Sequence, residues 1–318
     1  MGRNGRDIRV WLALAAVYVV WGSTYLAIKF AIETLPPLIS GGLRFVAAAL
    51  VLGAVLLLRR GTAPFRVTAR QCGGAALVGL LLLTAGNGLV GVAEQHISSG
   101  LAALLVASVP LWLVVFRTVV RDRPHVLTLA GVLVGFVGVA GLTLGGGASA
   151  SGVGIGAVLL ASLAWSLGSF ISPRIAMPED PFAASAIEMA AGGAGMLLLA
   201  LCTGERVHLT AVSASSWAAV AYLVLFGSLV AFTSYVWLLG NAPISLVSTY
   251  AYVNPVVAVV LGVIVLGEDV TTAMIVAGAL IVVGVALVVS TERARPAPET
   301  EPGEAEPGEA ALETGRRP

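Results

Sequence analysis

The chain has 318 residues, of which 58% are hydrophobic and 11% charged; a soluble domain carries about 25% charged residues, so a soluble α/β enzyme, a disordered regulator and a nucleic-acid binder are excluded. Its 18 Lys and Arg against 17 Asp and Glu leave a net charge of +1, which implies no polyanionic partner. The class that remains is a polytopic membrane protein.

A helix needs roughly 20 mostly apolar residues to cross the hydrocarbon core. Breaks of Pro, Gly and charge leave ten such runs along the chain. The first, 10–30, follows Arg3, Arg6 and Arg9. It is too long for a secretory signal, its Ala13-Leu14-Ala15 lies inside the apolar run with no such site after it, and it runs into Trp21-Gly22-Ser23-Thr24 and Lys29, so it reads as a retained helix. Pro36-Pro37 opens 38–58, which stops at Arg59-Arg60-Gly61. The third run, 72–92, contains Ala85-Gly86-Asn87-Gly88. The fourth, 98–120, contains Pro110 and ends at Arg121-Asp122-Arg123-Pro124, and the fifth, 126–145, ends in Gly145-Gly146-Gly147. The second half repeats the layout at 153–173, 182–202, 216–239, 246–266 and 271–290, with breaks at Met177-Pro178-Glu179-Asp180-Pro181 and Gly267-Glu268-Asp269. The tail from Thr291 is rich in Pro and Glu and repeats Glu301-Pro302-Gly303-Glu304-Ala305 directly; with nothing to bury, it is expected to be disordered.

The halves echo each other. Trp21 precedes Arg44 by the interval at which Trp165 precedes Glu188, and Pro37 matches Pro181. Ser108-Val109-Pro110 matches Val253-Asn254-Pro255, Ala130-Gly131 matches Ala277-Gly278, and Gly138-Val139-Ala140 matches Gly284-Val285-Ala286. Ordered matches over so long a stretch indicate an internal repeat. With an odd number of spans per repeat, the second copy must enter from the opposite side. The predicted fold is therefore an all-α membrane protein of ten transmembrane helices in two inverted five-helix repeats, 10–145 and 152–290, between a cytoplasmic segment 1–9 and a cytoplasmic tail 291–318. Such inverted repeats suit alternating access, with a site near mid-membrane between them. Orientation follows the arginines: with both ends inside, Arg59, Arg60, Arg66, Arg70, Arg117, Arg121, Arg123 and Arg174 all fall on the cytoplasmic side, and Arg206 falls outside. Gly131-x-x-x-Gly135 and Gly141-x-x-x-Gly145 read as tight packing inside one bundle rather than a dimer face. Cys72 and Cys202 fall at opposite membrane faces, which excludes a disulfide between them.

Much chemistry is missing. The single lysine, Lys29, follows Ile28, so no Walker A loop exists. No metal-ligand pattern, dinucleotide fingerprint or nucleophile–base pair is found, and no cofactor is expected. What remains are polar groups inside spans, which are functional candidates by default. Lys29 lies near the outer end of its span, where it can also snorkel. Arg44 and Glu188 occupy repeat-equivalent places with opposite charge, and could bridge the repeats or be neutralised separately. Asn87 sits between two glycines that would let a solute reach the backbone. Asn254 precedes Pro255, which frees the carbonyl near Ala251, either to serve a solute or to be satisfied by a neighbouring hydroxyl. Trp21, Trp112, Trp165, Tyr235, Trp237, Tyr250 and Tyr252 fall in or near the middle of spans, and three or four of them are expected to line a cavity. Trp21, Tyr25 and Lys29 share one helical face.

The segments Trp21-Gly22-Ser23-Thr24-Tyr25, Gly86-Asn87-Gly88, Ala93-Glu94-Gln95, Ser98 to Leu104, Leu225-Phe226-Gly227-Ser228, Ser248 to Ala258 and Leu266-Gly267-Glu268 resemble the EamA-type permeases of the drug/metabolite transporter superfamily. The resemblance covers residues 11 to 290. It implies ten helices in two repeats and export of small metabolites, amino acids or toxic compounds through a cavity lined by spans 1, 3, 4, 6, 8 and 9. The fourth span departs from the pattern by ending in Arg121-Asp122-Arg123 where the first repeat often carries Gly-Glu, which weighs against a symmetric role for Glu268.

The expected function is a secondary-active or facilitative exporter in the inner membrane, not an enzyme. Its substrate-binding residues are expected to be Trp21, Tyr25, Lys29, Arg44, Asn87, Trp165, Glu188, Tyr250, Tyr252 and Asn254. Its partners are expected to be a small-molecule substrate and the lipid bilayer, with no nucleic acid, and the protein a monomer or homodimer. An intramembrane enzyme or lipid-handling scaffold is the alternative, and would need paired acids or a nucleophile–base pair at one depth. A channel would need rings of like groups.

Overall fold

The computed structural model describes residues 3–120, 124–145, 151–242 and 250–293. The Arg121-Asp122-Arg123 break, Gly146-Gly147, Ser248-Thr249 and the repeat of the C-terminal tail lie outside the described residues. So does the side chain of Tyr252, although its backbone belongs to a helix. Among the described residues every regular element is helical. Eight helices are long and apolar enough to cross a membrane, and Val126–Leu142 and Val253–Leu266 are shorter apolar helices.

The first repeat runs α1 (Arg3–Ala31), α2 (Pro37–Arg60), α3 (Ala69–Gly79), a π-helical stretch Leu80–Asn87, α4 (Gly88–Ala93), α5 (Ser99–Val106), α6 (Val109–Val119) and α7 (Val126–Gly145). The second runs α8 (Gly152–Ile171), α9 (Pro181–Thr203), α10 (Ala214–Tyr222), a π-helical stretch Leu223–Val230, α11 (Ala231–Asn241), α12 (Tyr250–Leu266) and α13 (Thr272–Arg293). The third, fourth and eighth spans each cross as one apolar stretch, Ala69–Ala93, Ser99–Val119 and Ala214–Tyr235, but carry a local irregularity. The third and eighth spans each widen into a π-helix at the same place in the repeat, a local geometry often found at functional sites. The fourth span breaks between α5 and α6, where Pro110 cannot donate to the preceding turn. Just beyond this break Ser166 Oγ of α8 donates to the Val109 carbonyl at 3.0 Å, which ties α6 to α8.

Glycines bring equivalent helices of the two repeats together. Where α2 crosses α9, a Cβ added at Gly193 would lie 2.8 Å from Val46 N and 3.0 Å from the Gly42 carbonyl. Where α7 crosses α13, a Cβ at Gly131 would lie 2.8 Å from the Gly284 carbonyl, and one at Gly138 2.7 Å from that of Ala277. Backbone thus meets backbone inside the bundle, in the manner of membrane helices that lack a hydrophobic drive between them. The Gly131 and Gly135 pair faces α13 and α6 of its own chain. Against this frame three apolar clusters form, one around Leu105, Leu111, Leu142 and Ile281, a second around Phe45, Leu83, Met189 and Met196, and a small one of Leu14, Val17 and Leu238.

Two Gly-Glu pairs tie the second repeat to the first. Gly204, left-handed at φ 73°, ends α9 and turns the chain so that Glu205 reaches the start of α2. Its carboxylate accepts from Leu38 N at 3.3 Å and Ile39 N at 3.0 Å, where Pro36 offers no side-chain cap. Gly267, at φ 63°, follows α12 in the same way. Glu268 Oε1 then accepts from Ser99 N at 2.7 Å and Oε2 from Gly100 N at 3.1 Å, at the start of α5. Glu268 therefore has a counterpart, Glu205, although not at the end of the fourth span. A carboxylate at a helix N-terminus satisfies orphan donors and complements the dipole. Replacing Glu205 with Ala is expected to lower stability by about 1 kcal/mol, in the range of other lost N-caps. Unfolding in detergent, with exposed Glu179→Ala as the control, measures it.

Candidate functional site

A cavity of about 150 Å³ lies where the repeats meet. Each wall follows from a local feature of the chain. On α1, Gly22 admits α12, since a Cβ there would lie 2.6 Å from Val257 Cβ; Trp21, Thr24, Tyr25 and Ile28 then face the cavity. On the π-helical stretch of the third span, Leu82, Leu83, Gly86 and Asn87 line it, and a Cβ at Gly86 would press to 3.0 Å from Trp165 Cε3. The break after α5 contributes Val106, Ala107, Val109 and Pro110, while α8 contributes Ala161, Ser162 and Trp165. Gly227 and Ser228 of the second π-helical stretch, Phe232, and Tyr250, Asn254 and Pro255 of α12 complete that side. The cavity also receives Arg44 and Phe45 from α2 and Glu188 and Met189 from α9. Spans 2 and 7 therefore line it as well as the six expected. Their small residues let α2 and α9 cross closely enough for two side chains of each to reach inward.

The aromatic wall is a packed group. Trp21 lies 5.1 Å from Tyr235 and 5.2 Å from Tyr250 between ring centroids, and Tyr235 meets Tyr250 edge-on at 5.8 Å. Such edge-on and tilted contacts between aromatic rings help hold the group in place. Trp21 Nε1 also donates to the Gly227 carbonyl at 3.2 Å, joining α1 to the second π-helical stretch. A second tie runs from Thr84 Oγ1 to the Gly192 carbonyl at 2.8 Å, joining the first π-helical stretch to α9. Both wide-turn segments are thus anchored across the repeat boundary.

The electrostatics of the cavity are set by two buried ionisable groups. Arg44, 6% exposed, donates from Nε to Ser228 Oγ at 3.0 Å and lies 4.6 Å over the Phe45 ring. Glu188 is 9% exposed. Among the described residues these two form no ion pair with each other, the one direct ion pair being Arg60 with Asp180 at 2.8 Å near the surface. Asn254 Oδ1 and Ser162 Oγ, both at the cavity, are buried and have no hydrogen-bond partner among the described residues. Buried polar atoms are nearly always paired, so these two are available to a solute or to water in the cavity.

Of the residues singled out from the sequence, Trp21, Tyr25, Arg44, Asn87, Trp165, Glu188, Tyr250 and Asn254 surround this one cavity. Lys29 does not. Its ammonium donates to the carbonyls of Glu94 and Ile97, the latter at 3.0 Å, because one further turn of α1 carries it past the cavity to the end of α4. Trp112 packs edge-on against Phe136 instead of lining the cavity, and Tyr235 stands behind Trp21. Thr24, Phe45, Ser162, Ser228 and Phe232 were not anticipated as site residues. Thr24 and Ser228 lie within the segments that carry the family resemblance, whereas a serine inside an apolar helix such as Ser162 gives no sequence signal of its own.

The description EamA-like transporter family matches residues 8–144 and again 152–290. The uncharacterized inner membrane transporter YedA of Escherichia coli strain K12 is 42% identical over 278 residues, covering 87% of this chain and 89% of its own. The uncharacterized transporter YvbV of Bacillus subtilis strain 168 is 26% identical, covering 91% and 94%. A solved crystal structure superposes with a TM-score of 0.62 at 22% identity, covering 92% of this chain and 100% of that one, a likeness of fold. The chain belongs to the EamA-like transporter family.

Proposed function

We propose that this member of the EamA-like transporter family is a secondary-active or facilitative exporter of small metabolites such as amino acids or drug-like compounds, resident in the cell inner membrane. Ten helices cross the bilayer in two inverted five-helix repeats with both termini cytoplasmic, and the solute moves by alternating access without covalent change. The arginine distribution supports the orientation, and the name carried by the Escherichia coli relative supports the membrane.

The observation that carries this reading is the cavity at the repeat boundary. It holds a guanidinium and a carboxyl group that do not pair with each other, beside an amide oxygen and a hydroxyl without partners among the described residues. A solute with both a hydrogen-bonding head and an apolar body satisfies the polar groups while its body packs on Trp21, Trp165 and Tyr250. Equivalent helices meeting along glycine seams give the repeats surfaces on which to rock, as alternating access requires.

Counterflow into proteoliposomes, with a panel of amino acids, sugars and cationic dyes, tests the reading. One solute class is expected to accumulate, and Asn254→Ala to slow it by roughly 3- to 10-fold, the equivalent of one hydrogen bond. Folded protein that accumulates nothing across this panel calls for wider solute panels, and failure of those as well would turn the assignment to an intramembrane enzyme or lipid-handling scaffold.

A further inference from the structure

One turn beyond the cavity along α1 lies a second polar cluster, outside the site just described. Its centre is Glu94, in the turn that follows the span ending at Ala93. Glu94 is 0% exposed, and neither Oε1 nor Oε2 has a hydrogen-bond partner among the described residues. Ser99, also 0% exposed, leaves its Oγ unpartnered. Lys29 is turned to the backbone of this turn and holds the carbonyls of Glu94 and Ile97. Glu268 is engaged with Ser99 N and Gly100 N. The titratable groups facing Glu94 are thus Lys29 and Tyr25 from α1 and Glu268 from the turn after α12. Its neighbours α2 and α8 meet α4 through Pro37, Leu38 and Gly154.

An ionised carboxylate with no donor at either oxygen is very costly in such surroundings, whereas the neutral acid is not. Burial pushes the Glu94 carboxyl well above the ordinary carboxylate range, with Lys29 opposing the shift and Glu268 adding to it. The placement matters as much as the burial. Elements of the first repeat (α1, α4, α5) meet the second repeat here through Glu268, one helical turn past Tyr25, which lines the cavity.

We propose that Glu94 is a proton-binding site sealing one end of the cavity, neutral when that end is closed and ionised beside Lys29 when it opens, so that a proton is the coupled ion. The coupling rests on the transporter reading above; the site itself does not. Because the neutral form belongs to the closed state, closure is favoured at low pH and weakens as pH rises through the titration of this group.

Infrared difference spectra of the purified protein over a pH titration test the site without transport. A protonated-carboxyl band is expected at neutral pH in the wild type and in Glu188→Gln, with its Glu94 contribution lost in Glu94→Gln. The amide copies the shape of the neutral acid, so that variant is expected to fold. Wild-type protein whose neutral-pH spectrum is unchanged by Glu94→Gln would overturn the site. In proteoliposomes the wild-type rate is expected to change by about tenfold per pH unit within the titration, the slope for one coupled proton, and to be flat in Glu94→Gln. A flat wild type, or an unchanged slope in Glu94→Gln, overturns the coupling and leaves the transporter reading in place. A dependence on sodium at fixed pH that Glu94→Gln removes overturns the proton in favour of a metal cation. A Glu94 band in a protein that moves no solute keeps the site and removes the coupling.

Discussion

Arg44→Ala is expected to slow counterflow by roughly 10- to 100-fold, equivalent to losing a charged hydrogen-bonding partner of about 1.5–3 kcal/mol. The guanidinium is the cation of the cavity, and its Nε is already committed to Ser228 Oγ at 3.0 Å. That bond orients the planar group, leaving its other donors for a solute. Arg44→Lys is expected to recover little, because an ammonium cannot hold Ser228 and present a fork at once. The loss is separable from unfolding. No carboxylate forms an ion pair with Arg44 among the described residues, so removing it leaves no orphaned opposite charge, and the protein is expected to keep its melting temperature or gain a little. An Arg44→Ala protein that transports at the wild-type rate would remove Arg44 from the site.

Gly284→Val is expected to destabilise the protein by on the order of 3 kcal/mol or more, at the upper end of overpacking effects. A Cβ at Gly284 would lie 2.5 Å from Gly135 N, 2.6 Å from the Gly131 carbonyl and 2.7 Å from Gly135 Cα. All three are backbone atoms, so no rotamer change relieves the clash and α13 must separate from α7. Thermal unfolding in detergent measures the effect. Gly156→Ala is the control, since a Cβ there meets nothing within 4 Å. An unchanged midpoint for Gly284→Val would mean that α7 and α13 can separate along this seam at little cost. The same seam is expected to tolerate Gly284→Ala poorly, because the clash begins at the first added carbon.

The candidate site was legible in outline because intramembrane polar groups are rare enough to stand out. Arg44, Glu188, Asn87 and Asn254 could be named from hydropathy alone, and the cavity gathers all four. Lys29 shows the limit of that reasoning: its place on the face shared with Trp21 and Tyr25 is correct, yet one more helical turn takes it to the carbonyls of Glu94 and Ile97. Glu94 shows the converse. It sits beside exposed Gln95 and His96 at the end of a span, where a carboxylate ordinarily meets water, and nothing local reveals that four helical elements and the Glu268 turn close over it.

What the sequence by itself determined was which segments are apolar enough to cross a membrane, where they break and that they come in two copies. These depend on hydropathy over about 20 residues and on Pro, Gly and charge at the ends, all local quantities. Only the tertiary structure decided which face of each helix turns inward, that spans 2 and 7 reach the cavity, that the third and eighth spans widen where they line it, and that Glu94 is sealed from water. Those features are set by rotations and close approaches between helices distant in sequence, through contacts such as Gly42 with Gly193 and Gly131 with Gly284, and no single segment encodes its partner's position.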